Sequence, residues 1–403
     1  MKKMSKHWIV MVLMCGLSAS AIGICANCLG VFYTPMSNEL NVLRGTLANG
    51  STISSFITAI ISLFILKLIN EKNYKLYLTA GVLLASISTA LFSSVNSIGF
   101  FYVLNIIRGF GVSAFGAVIY TTIINKWFKQ NLGLATSIVM SFAGILGALG
   151  APVFNMVIEM MGWRTGFVIM GVAIFLFCLP AILYRYSIDP QNEGLLPYGE
   201  TQKVEAVESV KVNGKFNYFS VSFITVLIFS LTMSTFTGIS MHLSGFAESI
   251  GLSSSVGAFM ISLAMIGNIS GKLIVGSLSD RIGWFKSVMI MMSIVVVAAG
   301  ILLVADNAMM GYAGSLLIGI NYSVVTVGLV LITKNIFGSE NYTRAYPVIS
   351  FLSSIGSAMA NSLVAYAYDF TGKYNIVFIA VLMISALGYI LLITAYKTKG
   401  KAN

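Results

Sequence analysis

Apolar stretches of about 20 residues recur along almost the whole chain and are separated by short polar segments. A helix of about 20 residues crosses the ~30 Å hydrocarbon core of a bilayer, whereas a membrane β-barrel shows short segments of alternating polarity. The pattern therefore predicts an all-α polytopic membrane protein with 12 transmembrane helices. Their expected bounds are 8–31, 46–67, 76–95, 100–125, 132–156, 165–186, 218–243, 254–276, 287–304, 309–334, 345–367 and 375–396.

The longest break in the apolar pattern lies at 187–217, where acidic residues and lysines surround the sequence LLPYGE. We interpret this stretch as a solvated cytoplasmic linker. It would join an N-terminal bundle of six helices at 1–186 to a C-terminal bundle of six helices at 218–403.

The two predicted bundles share matching residues at a constant separation of 210 positions. Gly109 matches Gly319, and Gly162 matches Gly372 at the same separation. A single offset that holds across several helices indicates a duplication. Two six-helix pseudo-repeats that flank a site near the middle of the membrane are an architecture of transporters.

The composition agrees with a membrane-embedded chain, because 57% of the residues are hydrophobic and 9% are charged. Soluble domains carry about 25% charged residues. With the N-terminus inside, most of the 24 Lys and Arg residues fall on the inner side, as the positive-inside rule describes. We therefore expect a multi-pass inner (plasma) membrane protein with both termini cytoplasmic. The net charge of +11 then suits anionic lipid headgroups of the bilayer and requires no nucleic-acid partner.

The sequence lacks the motifs that would predict an enzyme or an ATP-driven pump. It contains no H-E-x-x-H, no G-x-S-x-G and no Walker-type loop, and it has only two His residues. Cys25 and Cys28 form a C-x-x-C, but they lie on a predicted membrane helix without other ligands, so we interpret them as packing residues. We expect no catalytic activity, no metal site and no cofactor.

The sharpest motif is GKLIVGSLSDRIG at 271–283, between predicted helices eight and nine. Gly276 would let neighbouring helices approach closely. Asp280 could face a helix N-terminus, and Arg281 could hold a neighbouring carboxylate. Such a breakable charge cluster is typical of a cytoplasmic gate.

Three further fragments agree with this motif: RGFG at 108–111, GALGAP at 147–152 and GWRTGF at 162–167. With them, the sequence resembles the major facilitator superfamily over essentially its full length. Within that superfamily it resembles the branch of the oxalate/formate antiporters and the monocarboxylate porters. The stretches that carry this closer resemblance are 27–40, 125–148, 189–199 and 241–253.

The resemblance implies the major facilitator fold, with 12 transmembrane helices in two six-helix pseudo-repeats. Members of the branch carry small carboxylates and often use a basic residue on helix eight, which matches Lys272 here. The branch can also place a second cation on helix eleven, whereas 345–367 contains no Lys or Arg. This departure favours a monoanion over a dianion such as oxalate.

Apart from the basic residues at the inner helix ends, two cations, Arg108 and Lys272, lie within the predicted spans, and both are candidates for binding an anionic substrate. A Lys buried in a membrane is costly unless it faces water or an anion, and Asn268 lies four residues before Lys272 on the same helical face. The alternative is that Lys272 extends to the interface. For Arg108, the matching position in the superfamily more often organises helix contacts or coupling than it touches substrate.

Other polar residues within the spans could line a substrate cavity. Tyrosine rings accept the apolar part of a substrate and their hydroxyls its oxygens, while a buried His can titrate near neutral pH and take part in proton coupling. Packing or helix–helix hydrogen bonding is the alternative for each of them. These additional candidates are Tyr33, Tyr120, Tyr322, Asn27, Asn321 and His242.

Together these features predict a secondary active or facilitative transporter of small organic anions, such as mono- or dicarboxylates, that works by alternating access. A proton or a counter-anion could be coupled to transport. Two alternatives stay open at this point. One is an exporter of drugs or amphipathic metabolites, and the other is a solute sensor built on a transporter fold.

Overall fold

The computed structural model describes residues 5–200 and 216–399, and most of this part of the chain is helical. It forms two compact units. The first contains the described residues up to 42 and those from 50 to 200, and the second contains 43–49 together with 216–399.

The first unit begins with a long helical run that changes its hydrogen-bonding pattern midway. α1 leads into a π-helical stretch at Ala19–Asn27, and α2 follows and ends at Leu40, nine residues beyond the predicted end of the first span. The helices that begin in this part of the chain are α1 Lys6–Ser18, α2 Gly30–Leu40, α3 Arg44–Leu68, α4 Tyr74–Leu91, α5 Ile98–Ser113, α6 Ala117–Trp127 and α7 Leu132–Leu183.

The second unit repeats this arrangement of helices and again contains a π-helical stretch, at Val324–Gly328. Its helices are α8 Val221–Ser234, α9 Ile239–Ser249, α10 Ser254–Ile282, α11 Trp284–Leu303, α12 Ala308–Ile318, α13 Asn321–Ser323, α14 Leu329–Thr371 and α15 Asn375–Lys397.

Ten helical stretches of the described residues are long and apolar enough to cross a membrane. The stretch Leu134–Leu183 covers two predicted spans, and Gly162, at φ +80°, breaks its helical geometry between them. The span predicted at 46–67 forms the 25-residue helix α3, which is not among the ten. The ten stretches, the division at Gly162 and α3 together account for the 12 predicted spans.

The structure reproduces the 210-residue offset in the positions of its helices. α3 and α10 begin at residues 44 and 254, α4 and α11 at 74 and 284, and α5 and α12 at 98 and 308. The caps match as well, because Ser97 and Asn307 each accept the backbone N–H three residues later. The duplication read from the sequence is therefore present in the helical scaffold.

Glycine contacts follow the same offset. A Cβ on Gly109 would lie 2.7 Å from the backbone oxygen of Ser54, and a Cβ on Gly319 would overlap the backbone oxygen of Ala264. Small residues at such points let membrane helices pack backbone to backbone. Both units thus use a glycine at the matching position to hold the same pair of helices together.

Residues 187–200, the first part of the linker predicted at 187–217, form a docked segment on the first unit. The Trp127 indole N–H donates to the Ser187 carbonyl oxygen at 3.0 Å. The backbone N–H of Tyr198 donates to the Trp127 carbonyl oxygen at 2.8 Å. This part of the predicted linker is a folded extension of the first unit, and 201–215 lie outside the described residues.

Charged groups fasten the docked segment. Glu193 pairs with Lys6 and accepts the backbone N–H of Ser187 at 2.6 Å. Burial alone would raise the pKa of Glu193, but these two contacts outweigh it and hold the pKa below its usual value. Glu71 accepts the backbone N–H of Asp189 at 2.9 Å. The segment thus ties the start of α1 to the residues between α3 and α4.

Residues 43–49, which include the first turn of α3, group with the second unit. The Asp369 carboxylate accepts the backbone N–H of Arg44 at 3.2 Å and that of the next residue at 2.6 Å. A carboxylate at this position complements the helix dipole. The Arg44 guanidinium stacks 4.7 Å from the centre of the Tyr368 ring and lies 3.6 Å from Glu248.

Candidate functional site

Arg108 is a buried cation in the membrane-spanning part of the first unit. It lies on α5 and is 3% exposed. Its guanidinium stacks 5.3 Å from the centre of the Phe92 ring. Neither Nε nor Nη1 has a hydrogen-bond partner among the described residues. An arginine buried in this way still has donors available for an anion.

Polar side chains of α2, α3 and α5 belong to the same unit as Arg108. The Tyr33 hydroxyl on α2 lies 2.7 Å from the Ser51 hydroxyl on α3. Asn105 lies three residues before Arg108 on α5, so the two side chains share a helical face. Arg108 forms no ion pair with a carboxylate of the described residues.

Asn105 is fully buried and is held in place on both sides. Its amide nitrogen donates to the Phe101 carbonyl oxygen at 2.9 Å. A Cβ on Gly50 of α3 would lie 2.7 Å from the same nitrogen. The asparagine oxygen has no hydrogen-bond partner among the described residues. The sequence analysis missed Asn105, although its spacing from Arg108 could have identified it.

Lys272 is the candidate cation of the second unit and lies on α10, where it is half-buried. Within the part of the chain that the structure describes, it forms no ion pair or hydrogen bond. Asn268, one turn earlier, is 6% exposed, and its side-chain oxygen also lacks a partner. Like Arg108, Lys272 is a membrane cation without an acidic neighbour.

α10 packs closely on the residues that carry two further candidates. A Cβ on Gly271 would lie 3.2 Å from the Cα of Ile320. Asn321 follows, and its amide nitrogen donates to the Met233 carbonyl oxygen at 3.2 Å. Tyr322 donates its hydroxyl to the Thr237 carbonyl oxygen at 2.9 Å. The hydroxyl of Tyr322 therefore links α13 to the turn Thr235–Gly238 that precedes α9.

Of the three other candidates, Asn27 and His242 make contacts that join helices within their own unit, whereas Tyr120 makes no such hydrogen bond to a described residue. Asn27 donates to the Ala143 carbonyl oxygen of α7 at 3.2 Å. Tyr120 is fully buried on α6, and its hydroxyl has no hydrogen-bond partner among the described residues. The Nε2 atom of His242 lies 2.9 Å from the carbonyl oxygen of Asn361. The contacts of Asn27 and His242 suit the structural alternative given for them.

The gate motif lies at the C-terminal end of α10, and its charged residues are exposed. Neither Asp280 nor Arg281 forms an ion pair or hydrogen bond with another described residue. No described heavy atom lies within 4 Å of a Cβ built at Gly276, so the structure shows no close helix contact among the described residues there, and the gating role of Gly276 stays a prediction. Close approach occurs instead at Gly267, where a Cβ would overlap the backbone oxygen of Leu316.

The nine substrate-site candidates divide between the two units. Each unit holds one cation together with uncharged polar groups. The first unit contains Asn27, Tyr33, Arg108 and Tyr120, and the second contains His242, Asn268, Lys272, Asn321 and Tyr322.

Curated relatives share about a quarter of their residues with the chain. Monocarboxylate transporter 12 of Homo sapiens is 25% identical over 237 residues, which cover 53% of this chain and 45% of the relative. The purine ribonucleoside efflux pump NepI of Escherichia coli (strain K12) is 23% identical over 185 residues, which cover 43% and 47%. The chain thus spans about half the length of the curated relatives it matches.

Solved structures match the fold over nearly the whole chain. A bacterial homolog of the human lysosomal transporter Spinster matches with a TM-score of 0.71 and 12% identity, covering 98% of this chain and 99% of that structure. A variant of the nucleoside transporter NupG matches with a TM-score of 0.70 and 11% identity, covering 96% and 99%. At these identities, the similarity concerns the fold alone.

The model of the protein family described as Major Facilitator Superfamily matches this chain over two overlapping ranges, residues 15–360 and residues 223–403. These ranges cover nearly all of the chain, and they include both cation-bearing helices, α5 and α10. The chain therefore belongs to the Major Facilitator Superfamily.

Proposed function

We propose that the chain carries small organic anions, mono- or dicarboxylates in particular, by alternating access. The observation that carries this proposal is the presence of Arg108 and Lys272 in membrane spans without an acidic partner among the described residues. Cations inside a membrane are costly unless an anion or water compensates them. A carboxylate that binds beside either cation supplies the missing negative charge.

The positive charges of Arg108 and Lys272 favour a carboxylate over an uncharged or a cationic substrate. An uncharged nucleoside, such as the name of the efflux-pump relative indicates for that protein, would leave both cations uncompensated. A cationic drug would add a further positive charge to a site with no described acid. The name of the other relative, a monocarboxylate transporter, agrees with the carboxylate proposal.

In this proposal the substrate neutralises the cations, and the end of α10 acts as the cytoplasmic gate. Asp280 and Arg281 are exposed and available for partners that form in another state of the transport cycle. Asp280→Asn should reduce turnover while the amount of folded protein stays the same. Unchanged transport together with unchanged labelling of cysteines introduced on the cytoplasmic side would exclude this gate.

The proposal further includes a plasma-membrane location, cytoplasmic termini and coupling to a proton or a counter-anion. Most basic residues lie on the predicted inner side, which supports this orientation. Reporter fusions at both ends test it, and an external signal from either end would overturn it.

The proposed function is tested by uptake of labelled carboxylates into liposomes that contain the purified protein. Counterflow of the labelled solute separates a carrier from a sensor with the same fold. Lys272→Ala should abolish carboxylate uptake, and the matched control Lys286→Ala should not, because Lys286 is exposed on α11. If Lys272→Ala transports a range of carboxylates at the parent rate and affinity, the anion site is wrong.

A further inference from the structure

We infer that the docked segment, residues 187–200, is a lock that holds α6 in the position seen here and has to undock during the transport cycle. The inference rests on the alternating access of the proposed function, but not on the identity of the substrate. It begins with the stretch DPQNEGLLPYG at 189–199, to which the cation sites give no role. The lock and the helix that it holds both belong to the first unit.

α6 is a short helix that a break in the backbone separates from α5. α5 ends at Ser113, and α6 begins at Ala117. Between them, Gly116 has an extended backbone with φ −74° and ψ −172°, which interrupts the helical hydrogen bonds. A few residues at the end of an element can act as a hinge, because they absorb the change in φ and ψ when the element moves. Residues 114–116 therefore allow α6 to turn without unfolding.

The docked segment binds the other end of α6 through its backbone. The N–H of Tyr198 donates to the Trp127 carbonyl oxygen at 2.8 Å. The carbonyl oxygen of Tyr198 accepts the N–H groups of Lys129 and Gln130 at 3.1 Å and 3.0 Å. Trp127 is the last residue of α6, so these three hydrogen bonds hold the helix at the end farthest from the break.

Aromatic rings at the start of α1 complete the same contact. The His7 ring packs edge-on against the rings of Trp127 and Tyr198, with centres 5.5 Å and 5.8 Å apart. The His7 Nε2 atom also lies 2.9 Å from the carbonyl oxygen of Leu196. The Trp8 ring packs against Tyr198 at 5.6 Å. The docked segment thus joins the start of α1 to the end of α6, two helix ends that lie far apart in the chain.

The charged contacts of the docked segment are partly open to solvent, which favours a reversible lock. Lys126 pairs with Asp189 at 3.5 Å, and their side chains are 45% and 30% exposed. Exposed ion pairs contribute little to stability. A segment that is held by exposed contacts and few buried ones opens at a lower free energy than the helical core does. The docked segment can therefore detach while the rest of the first unit stays folded.

Gly199 fits the docked position because it has no side chain. Its φ is +85°, in the left-handed region, and a Cβ there would overlap the Cβ of Gln130, just beyond the end of α6. Gly194 in the same segment has φ +70°, but no described heavy atom lies within 4 Å of a Cβ built there. Alanine meets backbone strain at either position, whereas only at 199 does it also push the segment away from α6. The two glycines therefore provide a matched pair of variants.

The first test measures how fast the thiol of Ile124→Cys reacts with N-ethylmaleimide. Ile124 is 0% exposed on α6, and α6 packs against α1 and α7, so the thiol reacts only when α6 moves. Adding Gly199→Ala should accelerate this labelling about tenfold more than adding Gly194→Ala, because of the overlap with Gln130. Val82→Cys, which is also 0% exposed but lies on α4, is the control and should keep its rate.

The second test closes the lock covalently and measures transport. Lys6 and Glu193 form an ion pair between α1 and the docked segment, so a short bis-methanethiosulfonate reagent can join the cysteines of Lys6→Cys/Glu193→Cys. Crosslinking should reduce carboxylate uptake into liposomes about tenfold or more, and a reductant should restore it. The controls are each single variant and the wild type, whose four cysteines are buried.

The outcomes separate the lock from the proposed function. If Gly199→Ala and Gly194→Ala accelerate the labelling of Ile124→Cys equally, or if Val82→Cys accelerates as much, the lock is wrong. If the crosslinked protein transports at the uncrosslinked rate, the segment does not have to undock, and the lock is wrong while the proposed carrier stands. If the wild type takes up no carboxylate, the proposed function fails, and the labelling rates still decide whether the segment holds α6.

Discussion

Arg108 in the first unit and Lys272 in the second unit are both cations in membrane spans, but their surroundings differ. Arg108 is enclosed, stacks on Phe92 and has a planar guanidinium with two unpartnered nitrogens. Lys272 is half-buried and has no described hydrogen bond or ion pair. A guanidinium recognises a carboxylate by geometry, whereas an ammonium acts as a flexible point charge. We therefore expect Arg108 to fix the orientation of a carboxylate bound beside it and Lys272 mainly to attract one.

The two cations also show which features survived the duplication. At the 210-residue offset, Arg108 matches Ile318, and Lys272 matches Ser62. The helix starts and the contacts of Gly109 and Gly319 match, whereas these charges do not. The two units therefore share their helix positions and helix contacts, but each places its cation at a position of its own.

The largest effect is expected from breaking the shared scaffold. In Gly319→Ala the new Cβ overlaps the backbone oxygen of Ala264, and relief requires the helices to separate, at a cost of about 3 kcal/mol or more. We expect little monodisperse protein by size-exclusion chromatography in detergent. Gly99→Ala is the control, because no described heavy atom lies within 4 Å of a Cβ at Gly99. Equal yields of the two variants would refute the role of this contact.

The next largest effect concerns the geometry of the first cation. Arg108→Lys keeps the charge but loses the planar fork and the stacking on Phe92, so substrate affinity should fall about tenfold, from a loss of about 1–2 kcal/mol. Affinity is measured by competition binding on protein of wild-type thermal stability. An unchanged affinity would mean that Arg108 acts as a point charge or not at all.

The reverse exchange should be milder. Lys272→Arg retains the charge at a half-buried position without stacking, so we expect uptake to fall only about threefold, from a loss of less than about 1 kcal/mol. Initial uptake rates at several substrate concentrations provide the measurement. A larger loss here than in Arg108→Lys would invert the roles assigned to the two cations.

The smallest expected effect tests a feature of the first unit outside the cation site. The folded pKa of Glu193 is lowered, so its contribution to stability is present above the ordinary carboxyl pKa of about 4.3 and is lost as the pH falls through the lowered value. Glu193→Gln should reduce thermal stability at pH 7 by about 1 kcal/mol or less. The difference from wild type should stay nearly constant from pH 7 to about pH 5 and shrink as the pH falls below about 4, and a difference that is constant over this whole range would contradict this interpretation.

The sequence predicted the helical class, the repeat and the two membrane cations, because these depend on hydrophobic length and on the rarity of charge in membranes. It did not predict the docked segment at 187–200, whose polar composition resembles that of a solvated loop. Its contacts join residues far apart in the chain, such as Lys6 and Glu193. The sequence also could not show that a neighbouring helix contacts α10 closely at Gly267 and that no described atom does so at Gly276. Two glycines on one helix differ in this respect only through the packing around them.

The central claim is that these membrane cations bind the carboxylate of the substrate. It is tested most directly by comparing the affinities of a transported carboxylate and its uncharged carboxamide for the wild type, Arg108→Gln and Lys272→Gln. Removing one partner of a buried charge pair costs about 2–5 kcal/mol. Each variant should therefore lose about 30-fold or more in affinity for the carboxylate, and its affinity for the carboxamide should be unchanged. Variants that still prefer the carboxylate as strongly as the wild type would contradict the account.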